Sequence, residues 1–298
     1  MKKGTKVGML VSFVVLSFIF LSLVISNTAL TISQYFVEYE NLPDAFDGYK
    51  IVQLSDLHSK QFGKNNKNIL KKIQTLKPDL VVMTGDMINT TDNNYDAFVS
   101  LSQRLASEHP TYYVIGNHEQ NLSQSKLQAL YQSLSEAGVF ISGNTKMSIQ
   151  KQRQSIDIYG LWFNLRYYSD QRNEYIQKHA DDYFFGVDKM NEVLGSKDSD
   201  SFCILLTHNP LYFESYAAWG ADLVLAGHMH GGMIRLPFVG GLFSPEKVFL
   251  PKYDSGKFSF EGTDMIISKG LGNGNIGFRL WNCPDLVSVT LKVKGADK

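Results

Sequence analysis

The sequence predicts an α/β protein built on a largely parallel sheet and preceded by one N-terminal transmembrane helix. Three observations carry this. A charge-free apolar stretch runs from Val7 to Ile25, strand-like apolar runs alternate with helix-period segments from Tyr49 onward, and five of those runs end in short polar motifs rich in His, Asp and Asn. Continuous apolar runs belong to strands covered on both faces, and strand–helix alternation implies parallel pairing.

In chain order the apolar stretch comes first. Its 19 residues, Val7 to Ile25, contain no charge. As a helix they reach about 28 Å, close to the hydrocarbon thickness of a bilayer. A secretory signal core is shorter, about 7–15 residues, and ends at a small-x-small site. Asn27-Thr28-Ala29 is a poor version of that site, so residues 1–26 are expected to be an uncleaved membrane anchor, with a cleaved signal as the alternative. Lys2, Lys3 and Lys6 precede the span with no acid among residues 1–25. That bias places the N-terminus in the cytoplasm and the rest of a single-pass cell-membrane protein on the extracytoplasmic side. No twin-arginine pair is present, which implies export in the unfolded state. Residues 27–48 read as a juxtamembrane linker, and 49–298 as one globular domain.

Within that domain Ile51–Leu54, Leu80–Met83, Tyr112–Ile115, Phe202–Leu206 and Leu223–Ala226 read as buried strands. Ile69, Leu70, Ile73 and Leu76 share one helical face, and Pro78 stops that helix. Tyr95, Phe98, Leu101 and Leu105 repeat the spacing, as do Leu127, Leu130, Tyr131 and Leu134, with Gly138 placed as a C-terminal cap. Val139–Ile141, Ile156–Tyr159 and Leu286–Val293 suit further strands, and 182–194 suits a helix. The apolar segment Phe238–Leu250 fits either a lipid-touching surface or a buried hairpin.

Composition narrows the function classes. The chain holds 29 basic and 29 acidic residues; without the three lysines of residues 1–25 the remainder carries 26 − 29 = −3. No basic patch suggests nucleic-acid binding. The two cysteines, Cys203 in a strand pattern and Cys283, give no evidence of a disulfide, and Cys203 reads as a small apolar core residue.

The five motifs are Asp56-Leu57-His58, Gly85-Asp86, Gly116-Asn117-His118-Glu119, Thr207-His208-Asn209 and Gly227-His228-Met229-His230. Open α/β sheets place ligands beyond the carboxyl ends of their strands. Five strands therefore deliver imidazoles, carboxylates and an amide to one edge of one sheet, the makings of a metal site. Residues two apart on an extended segment leave on the same face, so Asp56 and His58 can converge on one ion, as can His228 and His230. Mixed imidazole and oxygen ligands favour Mn, Fe or Zn over Ca²⁺. His109 and His179 lie outside the motifs and read as ordinary surface residues. Asn209, before Pro210, reads as a turn residue. Arg235 and Arg279 suit either a bidentate phosphate contact or a surface salt bridge.

The ordered set D-x-H, G-D, G-N-H-E, H, G-H-x-H resembles the calcineurin-like metallophosphoesterase superfamily, over roughly Tyr49 to the C-terminus. Gly231-Gly232-Met233-Ile234-Arg235-Leu236-Pro237, Gly270-Leu271-Gly272 and Arg279-Leu280-Trp281-Asn282 are similar to its membrane-associated bacterial branch, with Met229 and Met233 in place of that branch's usual Thr and Gln. The resemblance implies a second packed sheet, hence a four-layer α/β/β/α sandwich, and makes 49–298 a catalytic domain. It implies two metal ions, one held by Asp56, His58, Asp86 and His230, the other by Asp86, Asn117, His208 and His228. It also implies hydrolysis of a phosphoester or pyrophosphate by a metal-bridging hydroxide, with His118 protonating the leaving oxygen or stabilising the transition state. Glu119 reads either as orienting that imidazole or as an exposed helix-start glutamate. The literal G-x-G-x-x-G at Gly272–Gly277 lacks the following helix of a dinucleotide site and reads as a loop at the site's rim. Membrane tethering suggests a lipid-linked or cell-envelope substrate. The rival readings are a metal-dependent scaffold protein and a secreted phosphatase of small soluble phosphoesters.

Overall fold

Strand pairing in the computed structural model, which describes residues 3–169, 173–197, 200–245, 247–274 and 277–295, sorts the chain into two sheets. The first half runs α1 (Lys3–Thr28), β1 (Thr31–Tyr39), β2 (Lys50–Leu54), α2 (Lys67–Leu76), β3 (Leu80–Thr84), α3 (Asp96–Glu108), β4 (Thr111–Val114), α4 (Asn117–Gln120), α5 (Gln124–Glu136) and β5 (Phe140–Ile141). Then come β6 (Lys146–Lys151), β7 (Gln154–Leu161), α6 (Glu174–Lys178), α7 (Ala180–Tyr183), α8 (Val187–Leu194), β8 (Cys203–Thr207), α9 (Phe213–Trp219) and β9 (Leu223–Ala226). The last part holds β10 (Arg235–Leu236), β11 (Gly240–Gly241), β12 (Gly256–Phe260), β13 (Thr263–Ile267) and β14 (Asp285–Val293). One sheet has the order β1-β14-β2-β3-β4-β5 and the other β12-β13-β9-β8-β7-β6. Neighbours in both are mostly parallel, with β14–β2, β12–β13 and β6–β7 antiparallel.

The period-two alternation of a strand decides what each sheet face meets. Ile51, Leu80, Val82 and Val114 of the first sheet pack against Ile158, Ile204, Leu206 and Leu225 of the second. Their sequence neighbours Val52, Leu54, Val81 and Met83 point the other way, onto Ile69 and Ile73 of α2, Phe98 and Leu101 of α3, and Leu130 and Leu134 of α5. On the far side Leu205 and Val224 meet Met190 of α8 and Phe213, Tyr216 and Trp219 of α9. The result is the expected α/β/β/α sandwich. Each such side chain, fully buried, contributes roughly 1.5–3 kcal/mol.

Four expectations need correction. The motif-bearing strands lie in two sheets, not one: β2, β3 and β4 in the first, β8 and β9 in the second. The 27–48 segment is not only a linker, because β1 pairs with β14 along nine residues, from Thr31↔Asp285 to Tyr39↔Val293. Val37 and Tyr39, alternating with exposed neighbours, are buried in the inter-sheet core. The helix expected over 182–194 is two helices, since Gly186 adopts an extended conformation between α7 and α8. Phe238–Leu250 is no buried hairpin: Phe238, Val239, Phe249 and Leu250 are all exposed.

Helix α1 is long and apolar enough over Lys6–Thr28 to cross a membrane, and its residues from Lys6 to Leu21 are all exposed. Cys203 is buried in β8 and Cys283 is partly exposed; both are free thiols.

Candidate metal centre

The polar motifs do not leave their strands in extended form. Asp56 (φ 50°), His58 (φ 47°), Asp86 (φ 51°), His228 (φ 71°) and His230 (φ 51°) all adopt the left-handed region. A non-glycine residue held there costs of order 1–3 kcal/mol and persists only where its surroundings fix it. Here backbone bonds between the motifs do so: Asp56 N donates to Gly85 O (3.0 Å) and His58 N to Asp86 O (3.0 Å). His228 N donates to both carboxylate oxygens of Asp56, at 3.1 Å each. Convergence thus comes from sharp turns and not from the two-residue period of a strand, which corrects the spacing argument for Asp56–His58 and His228–His230. A Cβ at Gly116 would fall on the Asp86 carboxylate, and one at Gly227 on Ser55 and Asp56. Those two glycines let neighbouring loops close on the site.

Three groups of side chains sit with ligand atoms within 4.8 Å of one another: Asp56, His58 and His230; His58, Asp86 and His118; and Asp86, His208 and His228. Asn117 lines the same cleft, of about 440 Å³. All seven expected metal ligands are therefore brought together, and Asp86 stands between the outer groups. Their hydrogen bonds determine which atoms remain free. The Nδ1 of His208 donates to Thr84 O (2.7 Å), which turns Nε2 toward Asp86 Oδ2 (3.1 Å) and Asp56 Oδ1 (3.9 Å). The Nδ1 of His58 donates to Asn89 Oδ1 (2.9 Å), leaving Nε2 to face His230 Nε2 (3.2 Å) and Asp86 Oδ2 (4.0 Å). Asn117 Oδ1 is buried with no hydrogen-bond partner among the described residues.

Buried lone pairs aimed at each other are unfavourable unless a cation lies among them. The titration tendencies record the same crowding. Burial alone would raise the Asp86 carboxyl, but the His208 imidazole, with His58 and His118 behind it, holds it far below the usual range. Burial would lower His208, but Asp86 outweighs it and pushes the imidazole up to about 10. In other words, the pair retains a proton where the chemistry of the donor set suits a metal. His230 differs, because the Arg279 guanidinium lies 3.3 Å from its Nδ1. Donation there leaves the ring proton on Nε2, so His230 could hold an ion only after giving up that contact or that proton.

Glu119 fits neither expected role. It is fully buried, and it accepts four backbone N–H groups: Asp86 N (3.0 Å) and Gly116 N (2.9 Å) at Oε2, Met87 N (2.7 Å) and Ile88 N (3.4 Å) at Oε1. Burial, with Asp86 nearby, pushes its carboxyl up to about 7. The four donors nonetheless match the ionised form, which alone has lone pairs for all of them. Glu119 thus ties the Asp86 turn to the Gly116 turn. Glu119→Gln sets an amide N–H₂ against backbone donors and is expected to cost roughly 1.5–3 kcal/mol, the worth of a hydrogen bond to a charged group. A thermal melt of the variant beside wild type measures it.

His118, on α4, is half-buried; its ring meets that of His58 edge-on at 4.7 Å. Its backbone N donates to Asp86 Oδ1 (2.8 Å), and Thr90 N donates to its Nδ1 (3.3 Å). Burial lowers the imidazole's proton affinity. With Nδ1 accepting, the neutral ring carries its proton on Nε2.

Asn89, Thr90, Tyr168 and Arg279 were not assigned these positions from sequence. Asn89 lies three residues beyond Asp86 on the same turn, a spacing that gives a ligand histidine its partner. Tyr168 packs edge-on to His228 at 5.1 Å. Arg279 is neither a phosphate clamp nor a surface ion pair: it is fully buried and donates to Gly272 O and His230 O. Arg235 does form the salt bridge, with Asp254 at 2.8 Å. Asn209 is the expected turn residue, accepting from Leu211 N at 2.9 Å. His109 caps the end of α3, and His179 stacks on Tyr175 at 4.2 Å; neither joins the site.

Known proteins resemble this chain over most of its length. The pattern of the family described as calcineurin-like phosphoesterase matches residues 49–232. An uncharacterized metallophosphoesterase of Aquifex aeolicus is 30% identical over 275 residues, covering 89% of this chain and 93% of that protein. The uncharacterized metallophosphoesterase YkuE of Bacillus subtilis is 28% identical, over 87% of this chain and 85% of its own length. The phosphodiesterase YaeI of Escherichia coli is 27% identical, over 82% of each chain.

Proposed function

As a member of the calcineurin-like phosphoesterase family the chain is a metal-dependent phosphoesterase, and we propose that it is an anchored, two-metal enzyme acting on a lipid-linked or cell-envelope phosphoester or pyrophosphate. The observation that supports the metal assignment is the set of buried ligand atoms turned on one another, above all Asn117 Oδ1, which has no hydrogen-bond partner among the described residues. In this reading Asp56, His58, Asp86 and His230 hold one ion, and Asp86, Asn117, His208 and His228 the other. Two such ions, Mn, Fe or Zn by ligand type, supply a water of lowered pKa and neutralise phosphoryl charge.

The chain's own residues do the rest. Thr84 O and Asn89 Oδ1 fix His208 and His58 in the tautomers that free their Nε2 atoms. Glu119 holds the Asp86 and Gly116 turns in register. His118, with Thr90 N on its Nδ1, presents a neutral Nε2–H to the cleft, suited to a hydrogen bond with an oxygen on which charge develops. Residues 1–26 form the anchor, and 49–298 the catalytic domain to which β1 adds an edge strand.

The test is the purified chain, loaded with Mn²⁺, against a panel of mono-, di- and pyrophosphate esters. Turnover that disappears with chelator and returns with metal is expected. Two bound metals without turnover on any ester would make this a metal-dependent binding protein. For topology, a reporter active only outside the cytoplasm and fused after Lys298 should be active, and protease should remove the domain from intact spheroplasts. Protection of the domain would reverse the orientation, and a mature protein beginning near Asn27 would make it secreted.

A further inference from the structure

Helix α1 ends inside the rim of the cleft. Asn27 Nδ2 donates to Arg279 O (2.9 Å), and Arg279 N and Asn273 Nδ2 donate to Asn27 Oδ1 (3.1 and 2.9 Å). Lys60 Nζ donates to Asn27 O (2.8 Å), and Ser26 is buried beside it. Asn273 and Gly274 line the cleft itself. The helix exit and the mouth of the site therefore share their bonding partners, with no linker between them.

From this clamp runs a connected series of exposed apolar side chains. Phe278 and Trp281 flank the clamped Arg279. Leu280 bridges Ile234 and accepts from Arg235 N (3.1 Å), which leads into the β10–β11 hairpin with Phe238 and Val239 at its tip. Phe243, a cleft residue, bridges Phe249, and Leu250 N donates to Leu242 O (3.0 Å). Phe238, Val239, Phe249, Leu250, Phe278 and Trp281 are all large, apolar and exposed. Large exposed apolar side chains gathered on backbone segments bonded to one another point to a surface that something covers.

The length of the helix says what covers it. Ile25 is the last residue of the apolar span, and Asn27 lies only about 3 Å further along the axis. The polar layer on each side of a bilayer is about 5–7 Å deep. A backbone bonded to Asn27 lies within that layer, and Phe278 and Trp281 are one and two residues from it. Resting on the reading of α1 as an anchor, we infer that this run of six side chains is seated on the bilayer that α1 crosses, so that the cleft opens at headgroup depth and takes phosphoesters carried by membrane lipids. Trp281 suits that depth, where aromatic side chains keep a polar edge wet.

The full chain in nanodiscs whose lipids carry bromine high on the acyl chains tests the docking, because bromine quenches nearby indole. Trp281 is one of three tryptophans; Trp219 is buried and Trp162 half-buried. Quenching of wild type that is lost in Trp281→Phe is expected; no quenching, or equal quenching in both, overturns the docking. Retention in membranes after a carbonate wash is read in parallel. A chain that washes off overturns the anchor and the docking together, whereas a retained chain with unquenched Trp281 overturns the docking alone. For the substrate side, the Phe238→Ser, Val239→Ser, Leu250→Ser variant is assayed on bis(p-nitrophenyl) phosphate in solution and on phosphatidyl-p-nitrophenol in vesicles. A loss of about tenfold confined to the vesicle substrate is expected, and an equal change in both rates, including none, overturns the link between docking and turnover. Inactivity of wild type on both esters would instead count against the phosphoesterase reading, which leaves the tryptophan result as the measure of docking.

Discussion

Asp86→Ala is expected to strip the chain of both metals, with metal per protein falling from about two to well below one and hydrolysis falling with it. The reason is positional. One carboxylate oxygen of Asp86 lies 3.1 Å from His208 Nε2 and 4.0 Å from His58 Nε2, so the side chain borders both ligand groups. Its other oxygen accepts His118 N at 2.8 Å. In the proposed ligand set the alanine variant would lose a ligand from each site, and it also frees the backbone of His118. Asp86→Asn separates these effects, since its amide oxygen can still accept from His118 N while the bridging charge is gone. Both variants should fail to hold two metals. A variant that retains both ions would refute the bridging role, whatever its activity.

The fold was readable wherever pattern and burial agreed. Ile51–Leu54, Leu80–Met83, Phe202–Leu206 and Leu223–Ala226 stand out because parallel strands covered on both faces have no polar side to interrupt them. The helices α2, α3 and α5 followed from their apolar stripes. Strand β1 was missed although Tyr35, Val37 and Tyr39 alternate, because its other face, with Gln34, Phe36 and Glu38, is largely exposed, and its position after an apolar helix suggested a linker. The division of the motif strands between two sheets left no mark at all: β4 and β8 are both buried throughout, and only pairing tells which sheet each joins.

At the site, the residue types were legible and their conformations were not. Asp56, His58, Asp86, His228 and His230 were assigned from motif order, yet each needs a left-handed backbone that local sequence disfavours and that long-range bonds impose. Glu119 was misread for a related reason. A glutamate three residues into a helix start is an ordinary surface residue, and only the tertiary approach of the Asp86 turn gives it four buried donors. Arg279 likewise has no sequence signal for burial against backbone carbonyls.

The second large effect is expected at His118, whose two proposed roles, proton donor and stabiliser of charge, predict different losses. Proton donation to a leaving oxygen by an imidazolium requires both ring nitrogens to carry hydrogen. Thr90 N already donates to Nδ1 at 3.3 Å, and burial lowers the ring's affinity for a second proton. A neutral ring with Nε2–H remains, and in the proposed mechanism it would stabilise developing charge without surrendering the proton. His118→Asn should leave metal content near wild type, because His118 is no ligand in the proposed set. Turnover should fall by roughly 10²–10³-fold, the usual loss on removing one donor aimed at transition-state charge. The loss should be similar for an alkyl ester with a poor leaving group and for an activated aryl ester. A much larger loss on the alkyl ester would mean that the proton is transferred, and that the Thr90 contact opens in the working enzyme. Loss of metal would place His118 among the ligands instead.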